Sequence, residues 1–107
     1  MRRIAIATIA ALLVSTQAQA SNVPSGYVSS VSITGSRVFI YMTGARTGSA
    51  LGCCDRWEID GSTTIGQANL SIALTALTAH RPAALYGTGS LVAGANDTEG
   101  LSYLQIQ

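Results

Sequence analysis

The chain has 107 residues, a formal net charge of +1 at pH 7, and only 10% charged residues against 48% hydrophobic ones. All six of its basic residues other than histidine are arginines, and they form no patch that would favour nucleic acid or an anionic lipid surface. The length is that of one domain, and no internal repeat or linker divides it.

The first twenty residues have the three parts of a signal peptide. Arg2 and Arg3 precede a short apolar run, and Ala18-Gln19-Ala20 has the small-x-small pattern that signal peptidase cuts. The apolar run is too short to cross a bilayer, which needs about 20 residues. A buried N-terminal helix is the alternative. Residues 1–20 are therefore predicted to be removed, and residues 21–107 form one secreted or periplasmic domain.

After a short polar leader at residues 21–26, five strand-like segments and one helix follow in the order β-β-β-α-β-β. Alternation of apolar and polar residues predicts the strands, and the two-residue link Gly35-Ser36 predicts a hairpin between the first two. The predicted strands are residues 27–34, 37–42, 53–60, 83–87 and 101–106. This order is typical of a mainly β, five-stranded barrel with one inserted helix.

Residues of the third predicted strand divide between two faces. Trp57 lies in register with Ile59 and is predicted to be in the core. Arg56, Glu58 and Asp60 share the opposite face, which is predicted to be exposed, with Arg56 and Glu58 near each other.

The helix is predicted over residues 64–79, with Ser62 or Thr63 as its N-cap and Arg81-Pro82 as its end. No ionisable side chain lies between Asp60 and His80. At 100° per residue the helix has two apolar arcs. One arc can cover the barrel, whereas the second has no evident partner in so small a domain. That second arc contains Leu70, Ala73, Leu74 and Leu77.

Exposure of leucines on this second arc would forfeit roughly 1.5–3 kcal/mol for each side chain relative to burial. The sequence therefore predicts a homo-oligomer whose interface includes Leu70, Leu74 and Leu77. The intervening polar wedge would face a narrow channel at the centre of the assembly. This wedge consists of Gln67, Ser71, Thr75 and Thr78.

The two cysteines, Cys53 and Cys54, are adjacent. Strand alternation would point their side chains to opposite faces, which favours two reduced thiols over a strained bond between neighbours. An intermolecular disulfide is the alternative for an exported protein.

Residue patterns for catalysis are absent from the sequence. The lone histidine, His80, lies at the helix C-terminus, where a cation suits the helix dipole. No CxxC, HExxH or acidic calcium-loop motif occurs, so neither a metal nor another cofactor is expected. We expect a protein that is not an enzyme.

Several side chains are suited to a polar ligand such as a glycan. Aromatic faces stack on sugar rings, and carboxylates and guanidinium groups hydrogen-bond to hydroxyls. The tyrosines can instead pack within the core or the hairpins. The two acidic residues can instead terminate a turn and pair with an arginine. The candidates are Tyr27, Arg46, Arg56, Tyr86, Asp97 and Glu99.

Several short motifs resemble a family of small exported bacterial proteins related to receptor-binding (B) subunits of A-B-type toxins, in the subtilase-cytotoxin and pertussis-like groups. The motifs extend over nearly the whole mature chain. They are residues 56–60 (Arg-Trp-Glu-Ile-Asp), Ser62-Thr63, Gly66-Gln67, Gly87-Thr88-Gly89, Asp97-Thr98-Glu99 and Tyr103. The resemblance implies an OB (oligonucleotide/oligosaccharide-binding) fold, a pentameric ring, a cell-surface glycan as ligand and a toxin A subunit as partner.

One feature departs from this pattern. Such proteins carry a cysteine after the Gly-Thr-Gly motif, whereas Ser90 and Leu91 stand there in this chain. The resemblance therefore does not carry over the disulfide that joins that cysteine to one in the loop before the Arg-Trp strand. No glycan-binding residue of the toxins can be matched to this chain, so none is transferred. The predicted function is a secreted glycan-binding subunit, with an exported structural or interaction protein of the same fold as the alternative.

Overall fold

The computed structural model describes residues 21–48, 55–94 and 96–107. The signal-peptide prediction and both cysteine predictions lie outside these residues, as does the predicted start of the third strand. The elements are β1 (Asn22–Thr34), β2 (Arg37–Thr43), β3 (Arg56–Asp60), α1 (Thr64–Ala79), β4 (Ala83–Leu91) and β5 (Glu99–Ile106). The predicted order β-β-β-α-β-β is confirmed.

The five strands pair in a closed ring in the order β1-β2-β3-β5-β4. All neighbouring strands are antiparallel except β3 and β5, which are parallel. Strand β1 closes the ring because its first residues pair with β4, while residues 27–34 pair with β2. Its register shifts between Val23 and Gly26 and again between Val28 and Ser30, which bends the strand from one neighbour to the other.

Inward-facing side chains of all five strands form one core. Trp57 is 1% exposed, which confirms its predicted burial, and Ile40 and Leu85 are fully buried. The helix contributes two small residues, Ala73 and Ala76, to this cluster. Small side chains on the helix allow it to lie close to the interior of the ring.

The helix begins and ends where the sequence predicts. Thr63 is the N-cap, and its Oγ1 accepts a hydrogen bond from the Gly66 amide at 2.9 Å. His80 is the C-cap, with a left-handed backbone (φ 52°), and its ring stacks on Tyr27 at 4.6 Å between centroids. No helix in the described part of the chain is both long and apolar enough to cross a membrane.

The buried side of α1 differs from the two predicted arcs. The residues buried against the ring are Gly66, Asn69, Ala73 and Ala76. Leu70 and Leu77 flank this stripe and pack partly against the core, and Ala73 of the same predicted arc is fully buried. The expectation that the second arc lacks a partner in its own domain is therefore wrong for these three residues. Leu74 lies further round the helix and is 44% exposed.

Three strands also extend at least two residues beyond a predicted end. Strand β1 starts at Asn22, because Asn22 and Val23 pair with β4, and Ser21 before it is fully buried; the predicted polar leader is therefore wrong. Strand β4 continues to Leu91 and β5 begins at Glu99, because these two residues pair with each other. In each case pairing with another strand lengthens the strand.

Gly66 offers a test of the helix entry. Alanine normally stabilises a helix relative to glycine by roughly 0.5–1 kcal/mol. A Cβ on Gly66, however, would lie 1.9 Å from the Asp60 carbonyl oxygen and 2.8 Å from the capping oxygen of Thr63. We expect Gly66→Ala to lower the free energy of unfolding by about 1–3 kcal/mol in urea denaturation. Ser71→Ala, at an exposed position of the same helix, should not be destabilising, and a gain from Gly66→Ala would contradict the expectation.

Candidate functional site

The outer side of the β2–β3 pair carries a row of charged and aromatic side chains. Because side chains alternate along a strand, the residues opposite one another in the ladder point to the same side. We call this row the outer charged face. Its residues are Arg37, Phe39 and Tyr41 on β2, opposite Asp60, Glu58 and Arg56 on β3.

Arg37 and Glu58 form a two-pronged ion pair on this face. Nε of Arg37 donates to Glu58 Oε2 at 3.0 Å, and Nη2 donates to Oε1 at 2.8 Å. The same Nη2 also donates to Asp97 Oδ1 at 2.8 Å. Glu58 is only 6% exposed, so its charge depends on this guanidinium.

A second arginine, Arg56, also contacts Asp97. It lies on the opposite side of Phe39 from Arg37. Nη2 of Arg56 lies 3.5 Å from Asp97 Oδ2, and its Nε donates to Thr98 Oγ1 at 2.9 Å. Its guanidinium lies 4.2 Å from the centre of the Phe39 ring, and that of Arg37 lies 4.8 Å from it. Asp97 thus joins two arginines, and Phe39 provides an aromatic surface for both.

These contacts hold the groups in their charged forms. The hydrogen bond to Glu58, followed by the contacts with Asp97, raises the pKa of Arg37 above its ordinary value. The pKa of Asp97 is lowered by the hydrogen bond from Thr98 and then by Arg37. Hydrogen bonds from the Ser62 hydroxyl and amide lower the pKa of Asp60 in the same way. Both aspartates are therefore carboxylates throughout the neutral pH range.

A cleft of about 540 Å³ opens beside the Arg37–Glu58 pair. One wall comes from the β1–β2 turn and the ends of β2 and β3, and the other from the loop between β4 and β5. The lining residues are Ser36, Arg37, Glu58, Asp60, Val92, Ala93 and Gly94. The cleft combines hydrogen-bonding groups on one side with small apolar groups on the other, and its volume lies in the range typical of small-ligand sites.

The structure brings together only two of the six predicted ligand-binding residues, Arg56 and Asp97. Tyr27 stacks on His80, and Tyr86 stacks on Tyr103 with 4.6 Å between ring centres. Tyr27 lies on β1, Tyr86 on β4 and Tyr103 on β5, and none of the three lines the cleft.

The other two candidates have structural contacts. The Arg46 guanidinium lies 4.7 Å from the centre of the Trp57 ring and pairs with Asp55 at 3.2 Å. Glu99 is 1% exposed, and its carboxylate accepts hydrogen bonds from Ser21 and from the Gly89 amide. Neither side chain is available to a ligand at the outer charged face.

The predicted proximity of Arg56 and Glu58 on an exposed face needs correction. Glu58 is buried and pairs with Arg37 across the ladder, whereas Arg56 pairs with Asp97. The sequence reasoning missed Arg37 as a site residue. The sequence does contain a signal that could have identified Arg37. It shares one side of β2 with Phe39 and Tyr41, and in antiparallel pairing this side lies opposite Asp60, Glu58 and Arg56 of β3.

Comparisons with known proteins add no relative, because no family model, curated protein or solved structure matches this chain. Within residues 21–48, 55–94 and 96–107, no three His, Cys, Asp or Glu side chains lie close enough together to hold a metal ion. The site is therefore interpreted from its own geometry.

The dependence of Glu58 on Arg37 can be measured by mutation. Arg37→Met keeps the aliphatic stem but leaves a buried carboxylate without its cation, so we expect a loss of about 1–3 kcal/mol in the free energy of unfolding. The double variant Arg37→Met/Glu58→Gln should recover part of that loss. Arg81→Met removes an exposed guanidinium that donates to the Gln107 carbonyl oxygen at 2.6 Å, and we expect it to cost under 1 kcal/mol.

Equal losses for Arg37→Met and Arg81→Met in chemical denaturation would contradict this interpretation of the ion pair. A double variant less stable than Arg37→Met alone would also contradict it.

Proposed function

We propose that this protein is an exported glycan-binding subunit with an OB fold, processed after Ala20 and assembled into a homo-oligomeric ring. The fold part of the proposal is supported by the ring order β1-β2-β3-β5-β4, the parallel β3–β5 pair and the helix between β3 and β4. A five-stranded, partly open Greek-key barrel of this kind is the OB architecture.

The position of the cleft carries the proposal for binding. OB folds bind oligonucleotides and oligosaccharides on the face of strands 2 and 3, between the loop joining strands 1 and 2 and the loop joining strands 4 and 5. The 540 Å³ cleft has those walls: Ser36 from the first loop, Arg37 and Glu58 from the two strands, and Ala93 from the last loop. This cleft thus lies at the usual ligand position of the fold.

The charges in and beside this cleft favour a neutral sugar over a nucleic acid. Three carboxylates, those of Glu58, Asp60 and Asp97, face two guanidinium groups, those of Arg37 and Arg56. Arg37 already donates hydrogen bonds to Glu58 and Asp97. A phosphate would meet these carboxylates without a free cation to balance it. Sugar hydroxyls, in contrast, can donate to Asp60, whose low pKa keeps it an acceptor.

Filling the cleft from its exposed wall tests the binding site. Ala93 is exposed in the β4–β5 loop, so Ala93→Gln adds bulk to the cleft without entering the core. After a glycan array has identified a neutral oligosaccharide ligand, we expect this change to weaken binding at least about tenfold by calorimetry, which corresponds to about 1.4 kcal/mol.

Ala45→Gln is the matched control, because Ala45 is exposed near the opposite end of β2 and does not line the cleft. It should bind as the wild type does. Equal binding by the two variants would move the glycan site elsewhere. No binding of any glycan would favour the alternative function, an exported interaction protein with this fold.

The outward face of α1 supports the proposal of assembly. Eight exposed residues on this face include no charge, although a surface helix normally carries Lys, Glu or Arg there. They are Thr64, Gln67, Ala68, Ser71, Leu74, Thr75, Thr78 and Ala79. A shallow depression of about 360 Å³ along the last four residues of this set can receive side chains from the helix of a second copy.

Leu74→Glu tests this interface. It would place a charge between copies, so we expect light scattering to show loss of the wild-type oligomer at micromolar concentration while circular dichroism shows a folded chain. Ile65→Glu is the control, since Ile65 is 73% exposed and lies half a turn away from Leu74 around the helix. A wild-type mass equal to one mature chain would refute assembly without affecting the glycan proposal.

A further inference from the structure

Glu99 is the one carboxylate of the described chain that is almost fully buried without a cationic side chain beside it. It is 1% exposed, and none of the ion pairs among the described residues includes it. Its Oε2 accepts from the Gly89 amide at 3.0 Å and from the Ser21 backbone nitrogen at 3.2 Å, and its Oε1 accepts from the Ser21 hydroxyl. A buried carboxylate is costly unless a positive charge balances it.

Ser21 is held in place by contacts with three different strands. Its carbonyl oxygen accepts from the Gly87 amide of β4 at 2.9 Å, and its hydroxyl oxygen accepts from Trp57 Nε1 of β3 at 3.3 Å. Its backbone nitrogen and hydroxyl face Glu99 of β5, and the residue is 0% exposed. These contacts fix the direction in which the backbone nitrogen points.

Gly87 provides the space for this arrangement. A Cβ at this position would lie 2.0 Å from Glu99 Oε2 and 2.8 Å from the Ser21 carbonyl oxygen. Any larger residue would therefore displace either the carboxylate or the Ser21 backbone. The interior is shaped around the contact between these two groups.

The sequence places the predicted cleavage site immediately before this residue, after Ala18-Gln19-Ala20. Hydrolysis of the Ala20–Ser21 bond uses one water molecule, whose hydroxyl completes the Ala20 carboxyl group and whose proton goes to the Ser21 nitrogen. The released α-amine has an ordinary pKa of about 7.7–8.0 and takes up a further proton at neutral pH. The nitrogen that points at Glu99 then carries a positive charge.

We propose that the α-ammonium of Ser21, created by this cleavage, forms a buried ion pair with Glu99, so that export processing supplies the missing counter-charge of the folded interior. Trp57, Gly87, Gly89 and Glu99 then form a recognition site for the chain's own new N-terminus, and capture of an N-terminal amine is a known recognition mode. The inference depends on the proposed processing after Ala20 and not on glycan binding or assembly.

Chemical labelling tests the pair without any mutation. The chain has no lysine, so the α-amine is the only primary amine of the processed protein. Protein that begins at Ser21 is treated with N-hydroxysuccinimide acetate at pH 7.5, and mass spectrometry measures the rate of acetylation. We expect this rate to be at least about tenfold lower in the folded than in the urea-unfolded chain. Equal rates in the two states would overturn the proposal.

A charge-removal cycle then separates an ion pair from simple burial. Acetylation of the unfolded chain and refolding removes the charge at Ser21, and at equal protein concentration we expect Tm to fall by at least about 5 °C. In the Glu99→Gln background the same acetylation should change Tm by much less, because the carboxylate charge is gone. An undiminished effect in that background would overturn the ion pair.

A chain that keeps Ala20 as a one-residue extension gives a third comparison with Glu99 intact, in case Glu99→Gln does not fold. Its amine is displaced by one residue, so its Tm should match that of the acetylated protein. A Tm equal to that of the chain beginning at Ser21 would contradict the inference. Glycan binding by the folded protein is a separate measurement, so loss of one proposal leaves the other intact.

Discussion

The pairing of β1 with both β2 and β4 is the constraint on which the other features depend. It turns a five-stranded sheet into a ring in which every strand has two neighbours. The contact between β3 and β5 is the shortest, because only residues 57–58 pair with residues 99–100. In a domain of this size the enclosed volume is small, and the helix completes the core with Ala73 and Ala76. A helix with larger residues at these positions would be held further from the ring.

Closure of the ring also determines what each side of a strand must do. Trp57 and Glu58 are neighbours on β3, yet the indole lies in the core and the carboxylate lies on the outer charged face. Burial of the indole fixes the strand, and the strand in turn holds Glu58 opposite β2, where Arg37 reaches it. The core directly behind the outer charged face therefore holds its side chains in place.

Local patterns were sufficient to predict the helix and the order of the elements. The N-cap at Thr63, the uncharged run that follows and Pro82 after the end define α1 without tertiary information. Strand ends were predicted less well, because Asn22 is in a strand only through Tyr86, far away in sequence, and Leu91 only through its pairing with Glu99 across the β4–β5 loop. The alternation that places Phe39 opposite Glu58 was visible in the sequence, but the role of Arg37 depends on Asp97, which comes from a loop sixty positions later.

Three consecutive residues link the outer charged face to the buried contact between Ser21 and Glu99. Asp97 pairs with Arg37 and Arg56, Thr98 accepts from Arg56, and Glu99 turns inward to Ser21. Because β5 begins at Glu99 and pairs there with Trp57 of β3, the anchoring of Glu99 also fixes where Asp97 stands above the sheet. A change in the contact between Ser21 and Glu99 would therefore be transmitted over two residues to the carboxylate that joins both arginines. In this way Ser21 and Arg37, which lines the cleft, are parts of one connected structure.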